Sequence, residues 1–409
     1  MLELKNVHYS TYRRILFLML GASLSFSKII LGMNVSISDA IILLVLLYLL
    51  SQHRLFFIKV ELLMLYVIIY KLAVSLFIIP NILNVNSISA SSIIKLVIVF
   101  LYFFISICFE KGEILLVLKG FIYFNVIIGI IGILITFLNL ESVFPFLIGS
   151  ERYIGLMNDP NYYSLIQVLS LAIVSSQSHE FWHSRILIFV LIVSALLSGS
   201  KTSLLVLLIF LIFALIKYSI DLIKSRKFLH LITFLLIIVS SSSVMILAQD
   251  FFINIINKIA SMSFSLSRTL TLFAGNALNS GGSDRLTVWL KALSVINKTY
   301  GFGIGFADYT EVTNSLSGFG IVAHNTYLQL IAEWGIIFGG IFILLCLIVM
   351  LKNLYSKRYL GFTIGLCLAI FYIYFFDLSL NNSKPFWFFL GLAFSLDVRN
   401  HDGIRKNLN

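Results

Sequence analysis

Apolar residues run along this chain in blocks of helical length, separated by short polar stretches. The blocks fall roughly at 15–31, 35–50, 56–79, 93–109, 120–140, 162–177, 185–198, 202–217, 228–249, 325–351, 359–377 and 385–396. That pattern predicts about twelve transmembrane helices. A membrane barrel would need strict apolar and polar alternation, and none is present. Four prolines in the whole chain leave long helices uninterrupted. Several blocks are short for a hydrocarbon core of about 30 Å, so some are expected to tilt, break or re-enter.

Two longer polar-rich segments stand out, at 141–161 and at about 250–324. Within the second, "DFFINIINKIASM" and "DRLTVWLKALSVI" place apolar residues three or four apart beside a sparse polar face. They read as amphipathic helices that lie on the membrane surface or roof a cavity. Gly281 and Gly282 break the chain between them. No internal repeat is visible, and residues 1–409 read as a single transmembrane domain with 250–324 as its large outer loop.

Composition sharpens this picture. The chain is 60% hydrophobic and 11% charged, with mean hydropathy +1.02. Soluble domains carry about a quarter charged residues, so this chain cannot cover its apolar surface with polar groups. The expected fold class is an all-α polytopic integral membrane protein. The net charge of +11 then reads as cytoplasmic loops facing anionic headgroups, and not as nucleic-acid affinity. Cys108, Cys346 and Cys367 lie in apolar runs, without metal spacing, and read as lipid-facing or packing residues. No cleavable signal pattern precedes the first block. Arg13 and Arg14 lead directly into it, so it reads as a retained span.

Orientation follows from Lys and Arg. With the N-terminus inside, the inner segments hold Lys5, Arg13, Arg14, Arg54, Lys59, Lys111, Lys119, Arg185, a cluster from Lys217 to Lys227, Lys352, Lys357, Arg358, Arg399, Arg405 and Lys406. The outer segments hold Arg152, Lys201, Lys258, Arg268, Arg285, Lys291, Lys298 and Lys384. This bias predicts both termini in the cytoplasm.

Candidate chemistry collects on the outer side. "YGFGIG" places Gly301, Gly303 and Gly305 at spacing two, without the strand or the Lys-Ser/Thr of nucleotide loops. It reads as a tight, close-packed turn or as a backbone contact for a ligand. His324 is the only outward histidine, and Asn325 or Thr326 can cap the helix it precedes. A helix N-terminus disfavours imidazolium, and a neutral ring can take a proton from a hydroxyl. Such a residue can equally be structural, bonded to a neighbouring carbonyl. Asn325, Gln329 and Glu333 form a polar stripe on that helix, of the kind that faces a cavity. Among possible intramembrane charges, Lys28, Lys71, Lys95 and Glu61, most can snorkel.

Arg152 in "ERYIGLMNDPN", Lys201 in "SGSKTS" and Arg285 in "GGSDRLTVW" each neighbour small or turn-forming residues. Singly, each serves as a topology or headgroup contact. Together with a histidine on one face they suit an anionic ligand held beside a base; Arg offers diphosphate a bidentate fork and Lys a point charge. Asp159, Asp284, Asp308, Glu311 and Glu333 are scattered, without divalent-metal spacing, so the chemistry is expected to be cation-assisted and metal-independent.

Four stretches then resemble the bacterial O-antigen polymerase and O-antigen ligase family. "RYIGLMNDPN", with Asn161 at its end, is similar to the family's R-x-x-G…N-P-N segment. "LLSGSKTSLL" is similar to its small-Ser-Arg/Lys turn. "DRLTVWLKALSVINKTYGFGIG" is similar to its Arg–Trp helix and Gly-rich turn. "AHNTYLQLIAEWGIIFG" is similar to its His-Asn helix. The resemblance covers about 152–342 and the helix count.

It implies a GT-C-like membrane glycosyltransferase of the bacterial inner membrane, acting at the periplasmic or outer face without a cofactor. The donor would be an oligosaccharide on undecaprenyl diphosphate. Arg285 and Lys201 would hold the diphosphate, with Arg152 assisting. His324 would deprotonate or orient the acceptor hydroxyl, and Asn161, Asn325 and Glu333 would support the site. Inversion by direct displacement is the implied course. The family turn often carries Arg where this chain has Lys201, which lacks the bidentate fork. Polymerisation of repeat units, as for O-antigen, lipopolysaccharide or capsule, is favoured over ligation to a lipid A core or another acceptor. A transporter or flippase is the third reading. Membrane lipid and, from the family alone, a chain-length regulator protein are the expected partners; nucleic acid is not.

Overall fold

The computed structural model describes residues 10–27, 36–55, 59–149, 152–225 and 285–406, with scattered positions between 230 and 258. These residues are mostly helical. Helices α1 (Thr11–Ser23), α2 (Ile37–Ser51), α3 (Lys59–Phe77), the single turn α4 (Ile79–Ile82), α5 (Ala90–Ile107) and α6 (Lys111–Phe137) come first. Helices α7 (Pro160–Ser176), α8 (Ser184–Leu197) and α9 (Lys201–Lys224) follow. After the outer segment come α10 (Arg285–Lys298), α11 (Tyr309–Ser317), α12 (Thr326–Leu354), α13 (Tyr359–Tyr374) and α14 (Lys384–Lys406). One antiparallel pair, β1 (Ile148–Gly149) with β2 (Arg152–Tyr153), interrupts the helical pattern.

Among the described residues four helices are long and apolar enough to cross a membrane: Leu62–Ile82, Ala90–Ile107, Lys111–Phe137 and Thr326–Leu354. Five shorter apolar helices accompany them. The expected block at 228–249 and the stretch "DFFINIINKIASM", apart from scattered positions, and Gly281 with Gly282 lie outside the described residues. "DRLTVWLKALSVI" forms α10, which buries Val288, Ala292 and Val295 at spacings of four and three. Helix α11 was not evident in the apolar pattern. Its start is set locally by Asp308, whose carboxylate accepts from the Thr310 and Glu311 amides.

The chain divides into two compact units. The first holds residues 1–127, 169–188 and 282–409, and the second 128–168 and 189–281. In the first, α5 packs along α14, and Trp387 stacks among Phe100, Phe103, Trp334 and Phe342. An ion cluster ties the start of α1 to the loops after α2 and α5. Glu113, fully buried, accepts from Arg13 at 2.7 Å and from Arg54 at 2.7 Å, with Glu110 completing the group. These loops thus share one end of the unit, as the alternating-span pattern requires. Arg13 and Arg54, expected as headgroup contacts, point into the protein instead. Arg54 holds its proton more tightly than usual: burial opposes its charge, but the Glu113 and Glu110 carboxylates outweigh it.

The second unit packs the 152–155 segment into its helices. The Tyr153 hydroxyl donates to the Ile128 carbonyl at 2.8 Å, and its ring meets Tyr163 edge-on at 5.1 Å. Burial pushes the Tyr153 phenol well above its usual range.

All three cysteines are buried packing residues.

Candidate functional site

In the first unit, four segments converge around the start of α12. Asn325 caps that helix, its side-chain oxygen accepting from the Leu328 amide at 3.1 Å. Thr326 clasps the turn between α13 and α14: its amide donates to the Phe375 carbonyl at 2.7 Å and its hydroxyl to the Leu378 carbonyl at 2.6 Å, while the Leu380 amide donates back to it at 2.9 Å. Inside that clasp sits Asp377, which is buried and forms an ion pair with Arg285 at the first position of α10. Arg285 is one-third exposed, its side chain at 35%. The ion pair and the clasp therefore bring Arg285 to the same turn as the start of α12.

His324 precedes the cap. It is half-buried, with backbone φ of 46°, in the left-handed region. That conformation costs about 1–2 kcal/mol for a residue with a Cβ, although His is among the side chains that tolerate it. Strain of this sort concentrates at functional sites. The position of His324, one residue before the cap, is at the positive end of α12.

The glycines of "YGFGIG" serve backbone packing. Helix α12 is broken at Gly335, whose φ is 79°. The turn enters this break: the Ile304 amide donates to the Ala332 carbonyl and the Ile336 amide to the Gly301 carbonyl, each at 2.9 Å. A Cβ on Gly303 would stand 2.5 Å from the Gly335 nitrogen, so only glycine fits. The close-packed reading of this turn holds.

The polar stripe of α12 meets protein groups. Gln329 and Asn381 both donate to Glu333, at 2.8 and 2.9 Å. Lys71 does not snorkel. It is 4% exposed, its ammonium 5.3 Å from the Phe306 ring centre and 6.0 Å from that of Trp334, with Glu333 acting on it electrostatically. The glycine turn and the two aromatic rings enclose it, and α12 supplies the opposite charge.

Arg152, Asn161 and Lys201 belong to the second unit. Arg152 is 6% exposed; its Nε donates to the Ser198 carbonyl at 2.6 Å and its Nη2 to Asn161 Oδ1 at 3.1 Å. It thereby ties β2 both to the start of α7 and to the turn that leads into α9. Ser200 caps α9, and Lys201, half-buried, is the first helical residue. An anion is favoured at such a position by the positive end of the helix and the lysine charge.

Residues 186–344 match the family model described as O-antigen ligase. That match supports the O-antigen polymerase and ligase family for this chain. It covers Lys201, Arg285, His324, Asn325 and Glu333, whereas Arg152 and Asn161 precede it. No match was found among curated proteins or among solved structures. The family supports O-antigen polymerase or ligase activity, with a lipid-linked glycan as substrate, on a membrane-integral protein of bacteria.

Sequence reasoning missed Asp377 and Thr326 as a clasp. The Trp289 indole nitrogen is enclosed one turn after Arg285 and has no hydrogen-bond partner among the described residues, as is also true of the Ser379 hydroxyl. Asp377 could have been found as the single acid at the end of an apolar block predicted to finish on the Arg285 side.

Proposed function

We propose that this protein is an inverting membrane glycosyltransferase that polymerises oligosaccharide repeat units carried on undecaprenyl diphosphate, at the outer face of the inner membrane. The observation that carries the reading is the pairing of Arg285 with Asp377 inside the clasp at the start of α12. Arg285, held by that ion pair, and His324, one residue before the cap of α12, both lie within the residues matched by the family model. Arg285 neutralises the leaving diphosphate. Within the second unit, Arg152 and Asn161 hold the turn that leads to Lys201. His324 takes the proton of the acceptor hydroxyl or orients it. Asn325 sets the helix start, and Glu333 braces it through Asn381. Neutralisation by side-chain cations needs no metal, so the reaction proceeds in a chelator. The scaffold of this reading is a GT-C-like bundle of about twelve spans, with both termini cytoplasmic.

Ligation of the finished glycan to a terminal acceptor is the second reading, and the matched family model supports either. The same residues serve either reaction, since only the acceptor differs. Deletion separates them. Loss of a polymerase leaves single repeat units on the surface acceptor, and loss of a ligase leaves long chains on the lipid carrier. With purified protein and a lipid-linked unit, Arg285→Ala and His324→Ala abolish product formation. Wild-type rates in both variants would refute the site.

A further inference from the structure

Helix α10 is apolar on two opposite faces. One buries Val288, Ala292 and Val295 against Ile304, Val312, Ala323 and Ala332. The other presents Leu286, Leu290 and Leu293, at spacings of four and three, with exposures of 69%, 56% and 48%. A helix apolar on both sides is normally covered on both. The bare ridge is not isolated. It runs on to the exposed Tyr300 and Phe302, and the turn at Gly301 lies against Ile336. From there Ile337, Ile341, Leu344 and Ile348 continue as an exposed stripe along α12, a helix of membrane-crossing length. That stripe faces lipid by its composition and length. The flanks of α10 are amphipathic: Lys291 lies over the Phe319 ring at 4.9 Å, and on the other side stand Arg285 and Trp289. Lys and Arg at the edge of an apolar face suit the interfacial layer of a bilayer, stems in the apolar zone and charges outside it.

We infer that α10 is seated in the bilayer interface, its Leu286, Leu290 and Leu293 ridge in the acyl chains of the leaflet bordering the site. The occupant is lipid. Its lining is continuous with the lipid-facing stripe of α12, whereas an aqueous setting would leave three large leucines in water. Arg285, next to Leu286, then stands at headgroup level, where the phosphates of a lipid-borne substrate travel. This last step rests on the glycan-transfer reading, but the seat of the helix does not.

Spin labels test the seat without any activity. The native cysteines are buried, so Leu286→Cys, Leu290→Cys and Leu293→Cys each offer one reactive thiol in the full chain in lipid nanodiscs. Ile341→Cys is the lipid reference and the exposed Asn314→Cys the aqueous one. The three leucine sites are expected to collide with oxygen over a nickel chelate in a ratio between that of Asn314 and that of Ile341. A ratio matching Asn314 places the ridge in water and overturns the inference. Collision with neither reagent places protein over it, such as residues 226–284 of this chain, and also overturns it. Leu290→Trp gives an independent reading: brominated-chain lipids should remove the added fluorescence, and unchanged emission counts against the seat. If the ridge proves lipidic while Arg285→Ala retains activity, the glycan-transfer site fails and the interfacial helix stands.

Discussion

The pairing of Arg285 with Asp377 makes an asymmetric prediction. The Asp377 side chain is 4% exposed and that of Arg285 35%. Removing Arg285 strands a carboxylate with almost no access to water, and breaking a buried pair in this way costs about 3–5 kcal/mol. The partial exposure of the arginine end pulls the expectation to the lower figure, about 3 kcal/mol for Arg285→Ala. Neutralising the other partner is milder. In Asp377→Asn the guanidinium can turn toward solvent and the amide keeps an oxygen for it, so about 1 kcal/mol is expected. In the double variant no carboxylate remains to be stranded, and its stability should fall close to that of Asp377→Asn alone. The implied coupling is about 3 kcal/mol. Thermal unfolding of the four proteins in one detergent, at one scan rate, reads the order of stabilities. Turnover of a lipid-linked unit reads a second consequence. Asp377→Asn keeps the cation but frees its orientation, and a misplacement of about 1 Å costs on the order of a hundredfold in rate. Equal destabilisation by the two single variants, or strict additivity in the double, would refute the claim that Asp377 holds Arg285.

Three further outcomes follow from the same packing. Glu113→Ala leaves Arg13 and Arg54 with only Glu110 between them and should lower stability by about 3 kcal/mol, seen as a drop in unfolding midpoint and yield. Gly303→Ala forces a Cβ against Gly335 at a φ of 80° and should cost over about 2 kcal/mol, whereas Gly340→Ala, with open space around it, should be neutral or gain up to about 1 kcal/mol. Asp308→Ala removes the cap of α11 and should cost about 1 kcal/mol at neutral pH. Burial works against the Asp308 charge, but the Thr310 hydroxyl, the Glu311 and Thr310 amides and Lys95 together hold its carboxyl below the usual range. A depressed folded-state value means stability that is present above the ordinary carboxylate pKa and lost as pH falls through the folded one. The difference between Asp308→Ala and wild type should therefore shrink in acid, and a cost constant from neutral to acid pH would contradict the carboxylate's role.

What could be read from the chain divides along a physical line. Features with a short period were legible. Apolar blocks gave the helices, the spacing of Val288, Ala292 and Val295 gave α10, and Asn325 gave the cap of α12, because each is decided within a few residues. Ion pairs were not legible, since they depend on where distant segments meet. Lys71 read as a snorkelling lysine because four methylenes permit it, and only the glycine turn and Trp334 together enclose it. Asp377 read as the end of a span because nothing local distinguishes it from a residue reaching for water. The glycines illustrate the reverse. Their spacing looked chemical, yet Gly301, Gly303 and Gly335 are explained by two backbones in contact, and the reactive candidates are side chains carried by helix starts on either side. In this fold the glycine turn decides how closely α10 and α12 approach, and hence that Arg285 can reach the loop that Thr326 clasps. A substitution at Gly303 should then lower turnover and stability together, whereas Asp377→Asn should lower turnover far more than stability.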